Sequence, residues 1–174
     1  MRMMTNDDGS QCELHLLAAA DFDAFWAEDY DSSSMVREEP DSPRLPAFDL
    51  EERTALFGEA VINFARRLPL NPINNRLIDQ LVGAATSVGA NYCESDDAVS
   101  KKEFIVNINR CRKESRETKF LLRMVAAAEP SFKLDARPLW REAKELNLIF
   151  ASIVRATRKG MANAKQPKDN KPDE

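Results

Sequence analysis

From Phe48 onward, apolar residues recur at alternating steps of three and four, the period of a helix that buries one face. Phe57, Val61, Phe64 and Leu68 form the first such row. Ile73, Leu77, Leu81, Ala84 and Val88 form the second. A third runs through Phe104, Ile108, Cys111, Ser115, Thr118, Leu122 and Val125, and a fourth through Leu139, Ala143, Leu146, Phe150, Ile153 and Thr157. No segment of this body shows a convincing strand pattern.

Helix-end signals divide the rows. Asp49 with Glu52 three residues later predicts a capped start, for a helix from about Asp49 to Leu68. Pro69 and Pro72 then break the chain. Asn71 as cap and Pro72 at the first helical position open the second helix, which fades after Glu94. Ser100 with Glu103 is a capping box for the third, and Pro130 ends it. The fourth is expected to start near Asp135 and to stop at Gly160. Helices of roughly 20–29 residues are about 30–43 Å long. Short connections make neighbours antiparallel, so the pattern predicts an all-α, up-down-up-down four-helix bundle over residues 48–160.

Charge changes the picture ahead of the body. Residues 1–47 carry eleven Asp and Glu against three Lys and Arg, a balance of −8, whereas residues 48–174 balance at +4. Within this arm ELHLLAAADFDAFWAEDY places Leu14, Leu17, Ala18, Phe22 and Phe25 near one helical face, with Trp26 beside them. The stretch DSSSMVREEPDSPRLP that follows reads as an extended linker. An acidic, largely disordered N-terminal arm is expected, its one helix able to dock on the body or to bind a protein partner. Met35, just before the body, is a second candidate translation start. The polar tail 161–174 is expected to be disordered.

Composition excludes some classes. Hydrophobic residues are 43% and charged residues 31%, the balance of a soluble globular chain. No run approaches the roughly 18 apolar residues of a membrane span, and MRMMTNDDGS lacks the apolar core of a secretory leader. Cys12, Cys93 and Cys111 are odd in number and contain no C-x-x-C, which fits thiols in a reducing cytoplasm.

The stretch QLVGAATSVGANYCES, residues 80–95, is crowded with small residues. Each glycine inside a helix costs about 1 kcal/mol relative to alanine, so close backbone approach is expected to compensate. Gly83, Ala84, Ser87 and Ala90 are candidates for tight packing, against another helix of the same chain or against a second subunit. Asn91 and Glu94 are expected to serve as helix-end or inter-helix hydrogen-bonding groups. On that basis Gly83→Leu or Ala90→Leu is expected to disrupt folding or assembly.

Candidate chemistry is sparse. Glu114 with Glu117, and Glu142 with Glu145, are E-x-x-E pairs that share helix faces and suggest an all-oxygen Mg²⁺ site. The only histidine, His15, lies in the arm, which removes imidazole ligands and the usual base for Cys93 or Cys111. Arg110, Lys113 and Arg141 stand four residues before Glu114, Glu117 and Glu145, the spacing of ordinary surface pairs. No metal, no cofactor and no catalytic residue is therefore expected. Arg112, Arg116, Lys119 and Arg123 step by four, three and four along the third helix, and Arg155, Arg158 and Lys159 lie near the end of the fourth. Such a stripe can follow phosphates, but it is interleaved with Glu114 and Glu117 in a body with few aromatics for base stacking, so a solvated charged face is the equal alternative.

The body resembles the four-helix-bundle family of bacterial proteins first noted as products of intervening sequences in large-subunit ribosomal RNA genes. The resemblance runs from about Phe48 to Lys159 and rests on FDLEERT, QLVGAATSVGANYCES, SKKEF, KESRETKFLL and EAKELNLIFASIVRATR. That family is similar in fold to the accessory proteins of diversity-generating retroelements, pentameric barrels that bind nucleic acid and a reverse transcriptase. The resemblance implies a homo-oligomer, a pentamer by analogy, with RNA or DNA and a reverse transcriptase or other protein as partners and no known catalysis. Ser87, Asn91, Glu94, Glu114, Glu117, Glu142 and Glu145 fall on its polar pattern. Cys93, Ser95, Asp96 and Asp97 make the following turn more acidic than the resemblance leads one to expect, which speaks against nucleic-acid contact there. The expected function is that of a non-enzymatic, cytoplasmic, nucleic-acid-associated or adaptor protein. A scaffold that uses the acidic N-terminal helix, and a Mg²⁺-dependent nucleotide hydrolase, are the alternatives.

Overall fold

The structure, a computed structural model, describes Phe25, Trp26 and residues 49–164. The chain divides into two compact units, Met1–Arg44 and Leu45–Glu174. In the first, Phe25 and Trp26 meet edge to face with ring centroids 5.0 Å apart. The other expectations for the arm, and those for the tail beyond Ala164, lie outside the described residues.

Among the described residues the second unit contains four α-helices: α1 (Leu50–Ala65), α2 (Pro72–Asp96), α3 (Lys101–Ala128) and α4 (Lys133–Asn163). Among the described residues there is no strand. The caps act where the sequence places them. Asp49 Oδ1 accepts from the Glu52 amide at 3.2 Å, and Asn71 Oδ1 accepts from the amides of Ile73 and Asn74 at 3.0 and 2.8 Å. Ser100 Oγ accepts from the Glu103 amide at 3.2 Å, and Glu103 reaches back to the Val99 amide at 3.2 Å. These bonds satisfy amides that the first helical turn leaves without partners.

Each helix packs against the next with opposite sense, and α1 meets α4 along a thinner margin. Phe57, Val61 and Phe64 of α1 are buried with Leu81, Ala84 and Val88 of α2. Ile108, Cys111, Leu122 and Val125 of α3, and Ala143, Leu146 and Phe150 of α4, complete the core. Polar residues inside it bond to backbone oxygens. Ser115 and Thr118 donate to the Cys111 and Glu114 carbonyls at 2.8 Å each, and Asn107 donates to the Glu94 carbonyl at 3.0 Å. Asn74, with 1% of its surface exposed, ties the α1–α2 turn to the end of α3. Its amide donates to the Pro69 carbonyl at 2.8 Å and to Glu129 Oε1 at 2.7 Å. Among the described residues no helix is long and apolar enough to cross a membrane.

Several sequence expectations need correction. α1 is only 16 residues long, and the chain turns through Arg66 to Leu68 before Pro69. Ile73 is 66% exposed, because it sits in the first turn of α2 beyond the reach of the core. α4 starts two residues before Asp135 and runs through Gly160 to Asn163, so Met161–Asn163 belong to the helix rather than to the tail. One glycine costs a helix only about 1 kcal/mol, and Gly160 keeps a negative φ.

The small residues of α2 divide between two faces. Ala84 and Ala85 are buried, whereas Gly83 and Ala90 are exposed. A methyl group at Gly89 would lie 3.5 Å from Thr54 Oγ1, and one at Gly58 would lie 3.9 Å from the Thr86 Cα. One at Gly83 would meet nothing within 4 Å. The two helices therefore approach where Gly89 faces Thr54 and Gly58 faces Thr86, not at Gly83. Gly89→Leu is expected to cost about 1–3 kcal/mol by forcing α1 away, while Gly89→Ala keeps ordinary contact distances. Gly83→Leu should leave the protomer's stability within about 0.5 kcal/mol. Urea unfolding of the three variants checks both halves.

Candidate nucleic-acid interface

The helix α4 has two flanks of opposite charge. On the flank toward α1, Arg53 donates from Nε and Nη2 to Glu142 at 2.7 and 3.0 Å, and its Nη2 also lies 3.0 Å from Glu145. One guanidinium thus holds both carboxylates of an E-x-x-E pair, in the fork geometry that arginine matches best. The hydrogen bond to Glu142 raises the Arg53 pKa above its ordinary value, against the opposing effect of burial. A Mg²⁺ ion at this pair would have to displace that cation. Beside it, Leu56, Phe57, Ala60 and Leu139 line an apolar groove. Glu145, expected beside Arg141, meets Arg53 across the helix pair.

The other E-x-x-E pair is differently placed. Glu114 is half-buried toward the core side of α3, and its pKa is raised first by burial and then by Glu117, with Lys113 opposing. Among the described residues no group of three or more His, Cys, Asp and Glu is placed to hold a metal ion. Burial pushes the Cys111 thiol up to about 12, so it stays protonated and a poor nucleophile at neutral pH. Arg110 turns from Glu114 to Glu94 of α2, at 3.4 Å.

That contact gives Glu94 an inter-helix role, with its carbonyl accepting from Asn107 as well. Asn91 instead donates to the Ser87 carbonyl one turn earlier in its own helix, at 2.7 Å. Around the acidic α2–α3 turn a hollow is lined by Glu94, Asp97, Lys102, Glu103 and Arg110 among others, a mixture of charge signs.

On the flank toward α3, positive charge accumulates. The antiparallel register is marked by Asn147, which donates to the Arg112 carbonyl at 2.7 Å, and by Lys119, which lies over Trp140. Lys119 Nζ is 5.6 Å and Lys144 Nζ 5.5 Å from the Trp140 ring centroid, within the range of cation–π attraction. Arg116 and Arg123 stand one turn to either side of Lys119 on α3. Lys119 is held below the ordinary lysine value, first by burial and then by Lys144, Arg116 and Arg123. Burial, and after it like charges from two helices, disfavour the charged form of this lysine.

Arg112 and Arg116 are exposed, Lys119 and Arg123 half-buried, and the four span about 16 Å at 1.5 Å per residue. Among the described residues Arg112, Arg116 and Lys119 make no ion pair. Arg155, Arg158 and Lys159 are exposed at the far end of the same seam, where Arg158 and Ile105 line one surface hollow. The structure therefore gathers the α3 stripe with Trp140 and Lys144, and leaves the three α4 cations as a separate group. Trp140 and Lys144 escaped the sequence reading because only the helix register brings them beside Lys119. A signal existed in the WREAK segment, where the cation lies one turn from the indole on the same face.

No family model matches the chain, and no curated protein matches it. Among solved structures, it is similar to a protein of unknown function from the S23 ribosomal protein family of Bacteroides thetaiotaomicron. The match has 24% identity and a TM-score of 0.54, and it covers 60% of this chain and 97% of that one. At that identity the likeness concerns the helical fold alone.

Arg53→Met tests the acidic flank. It should lower stability by about 1–2 kcal/mol in urea unfolding, because two neighbouring carboxylates lose their cation while remaining partly open to water. Arg53→Lys should recover only part of the loss, since an ammonium cannot repeat the fork.

Proposed function

We propose that the bundle is a non-enzymatic protein that binds nucleic acid along the α3–α4 seam. The observation that carries this reading is the convergence of Lys119 and Lys144 on Trp140, with Arg116 and Arg123 alongside. Arg112, Arg116 and Lys119 make no ion pair among the described residues, and a row of phosphates would partner them. The acidic carboxylates supply contrast. Glu142 and Glu145 are turned to Arg53 on the opposite flank, so they do not oppose an anion on the seam. The same neutralised pair argues against the nucleotide-hydrolase alternative.

The proposal includes self-association, with the exposed small residues Gly83 and Ala90 of α2 offering a thin face to another copy. Gly83 is open within the protomer, so Gly83→Leu separates the two roles of this stretch. A fall in assembly mass with unchanged protomer stability supports a subunit contact, and an unchanged mass removes this face from the interface.

Binding of labelled RNA and DNA over a range of salt concentrations tests the seam. Affinity should fall linearly in log–log coordinates, and Arg112→Gln and Arg116→Gln should each reduce the slope by about one unit. Arg76→Gln removes an equal charge from α2, where Arg76 faces Asp79 at 3.9 Å, and should leave the slope unchanged. Equal effects from all three variants would reduce the result to net charge and overturn the site.

Lys119 adds a pH signature. Its lowered pKa means that the free protein gives up this proton earlier than an ordinary lysine would. Phosphates favour the charged form, so binding takes up a proton wherever Lys119 is partly neutral. Affinity should therefore weaken as pH rises toward the ordinary lysine range, near about 10.4, and Lys119→Gln should flatten that dependence. An identical pH profile in the variant would contradict the assignment.

A further inference from the structure

The outer face of α3 carries one feature that phosphate binding does not use. Phe120 is 56% exposed, next to Lys119 in the chain, with Arg116 one turn before it and Arg123 nearly one turn after. More than half of this ring is open to water, and its neighbours one turn away are the cations Arg116 and Arg123 with Glu117 between them in the chain. Residues three and four apart on a helix stand about 5–6 Å from each other, so a group seated on the ring has a guanidinium within reach on either side.

We propose that Phe120 is a stacking platform for an unpaired base, which makes the seam a site for single-stranded nucleic acid. The inference rests on the reading of the seam as a nucleic-acid interface. A nucleotide in a single strand offers both chemistries at once, a flat π face for the ring and a phosphate for Arg116 or Arg123. A duplex offers only phosphates, because its bases are stacked on one another and do not present their faces. A protein partner would cover the ring too, but three cations, Arg116, Lys119 and Arg123, against the single carboxylate of Glu117 match a polyanion better than an apolar surface. Stacking tolerates every base, so the site should discriminate strand state rather than sequence.

Fluorescence anisotropy with the full-length protein tests this, using a labelled single-stranded oligonucleotide, the matched duplex and heparin, a polyanion without bases. Phe120→Ala should weaken single-strand binding by about tenfold or more per stacked base. It should leave duplex and heparin affinity within about twofold and the salt slope unchanged, since no charge is removed. Phe120→Trp should restore or strengthen single-strand binding. The ring is exposed, so both variants are expected to keep the helical circular dichroism and unfolding midpoint of the parent.

Unchanged single-strand affinity in Phe120→Ala, or an equal loss for heparin, overturns the stacking role. A drop in assembly mass with nucleic-acid affinity intact assigns the ring to a protein contact and also overturns it. If the unaltered protein binds none of the three polyanions, the seam reading itself fails. If it binds all three and only the Phe120 variants are silent, the seam stands and the stacking role alone falls.

Discussion

Like charges are brought together on this protein by helix packing. The antiparallel seating of α4 on α3 places Asn147 under the Arg112 carbonyl and Trp140 beside Lys119. Buried residues of both helices, among them Leu122, Val125, Leu146 and Phe150, hold that register. Each fully buried side chain of this kind contributes about 1.5–3 kcal/mol, more than the repulsion between partly hydrated cations at the surface removes. The core can therefore sustain a surface whose charges would otherwise spread apart. Where the chain folds, it loads a cationic seam.

Charge separation across α4 is the second half of that design. Glu142 and Glu145 are only two to five residues from Trp140, yet their helix positions turn them toward α1. Arg53 neutralises both there, and the contact also fastens the shortest helix along its thinnest margin. Glu142 and Glu145 thus meet Arg53 on one flank of α4, while Lys119 and Lys144 converge on Trp140 on the other. The α2–α3 turn, with Glu94, Asp97 and Glu103 beside Lys102 and Arg110, shows the contrasting case of mixed signs.

Much of this was legible in the residues alone, and particular failures show what was not. Helix number, caps and core rows follow from local rules, as Asp49, Asn71 and Ser100 demonstrate. Ile73 fits the spacing of a core row but lies in the first turn of α2, beyond the reach of the core, so periodicity overstates its burial. Gly83 and Gly89 look equivalent in the chain, and only the crossing of α1 over α2 separates the exposed one from the one that touches Thr54. The α3 half of the seam was readable as a stripe. Its α4 half was not, because pairing Lys119 with Lys144 depends on a register that spacing within one helix does not encode.

Nucleic acid is proposed to lie at one place on the surface, and mapping its contacts is the sharpest test. Ultraviolet cross-linking of bound oligonucleotide, followed by mass spectrometry of the digested protein, reports which peptides touch the ligand. Adducts are expected on the segment from Arg112 to Arg123 of α3 and on the segment of α4 that holds Trp140 and Lys144. Adducts confined to the α2–α3 turn around Asp96 and Asp97, or to α1, would contradict that placement.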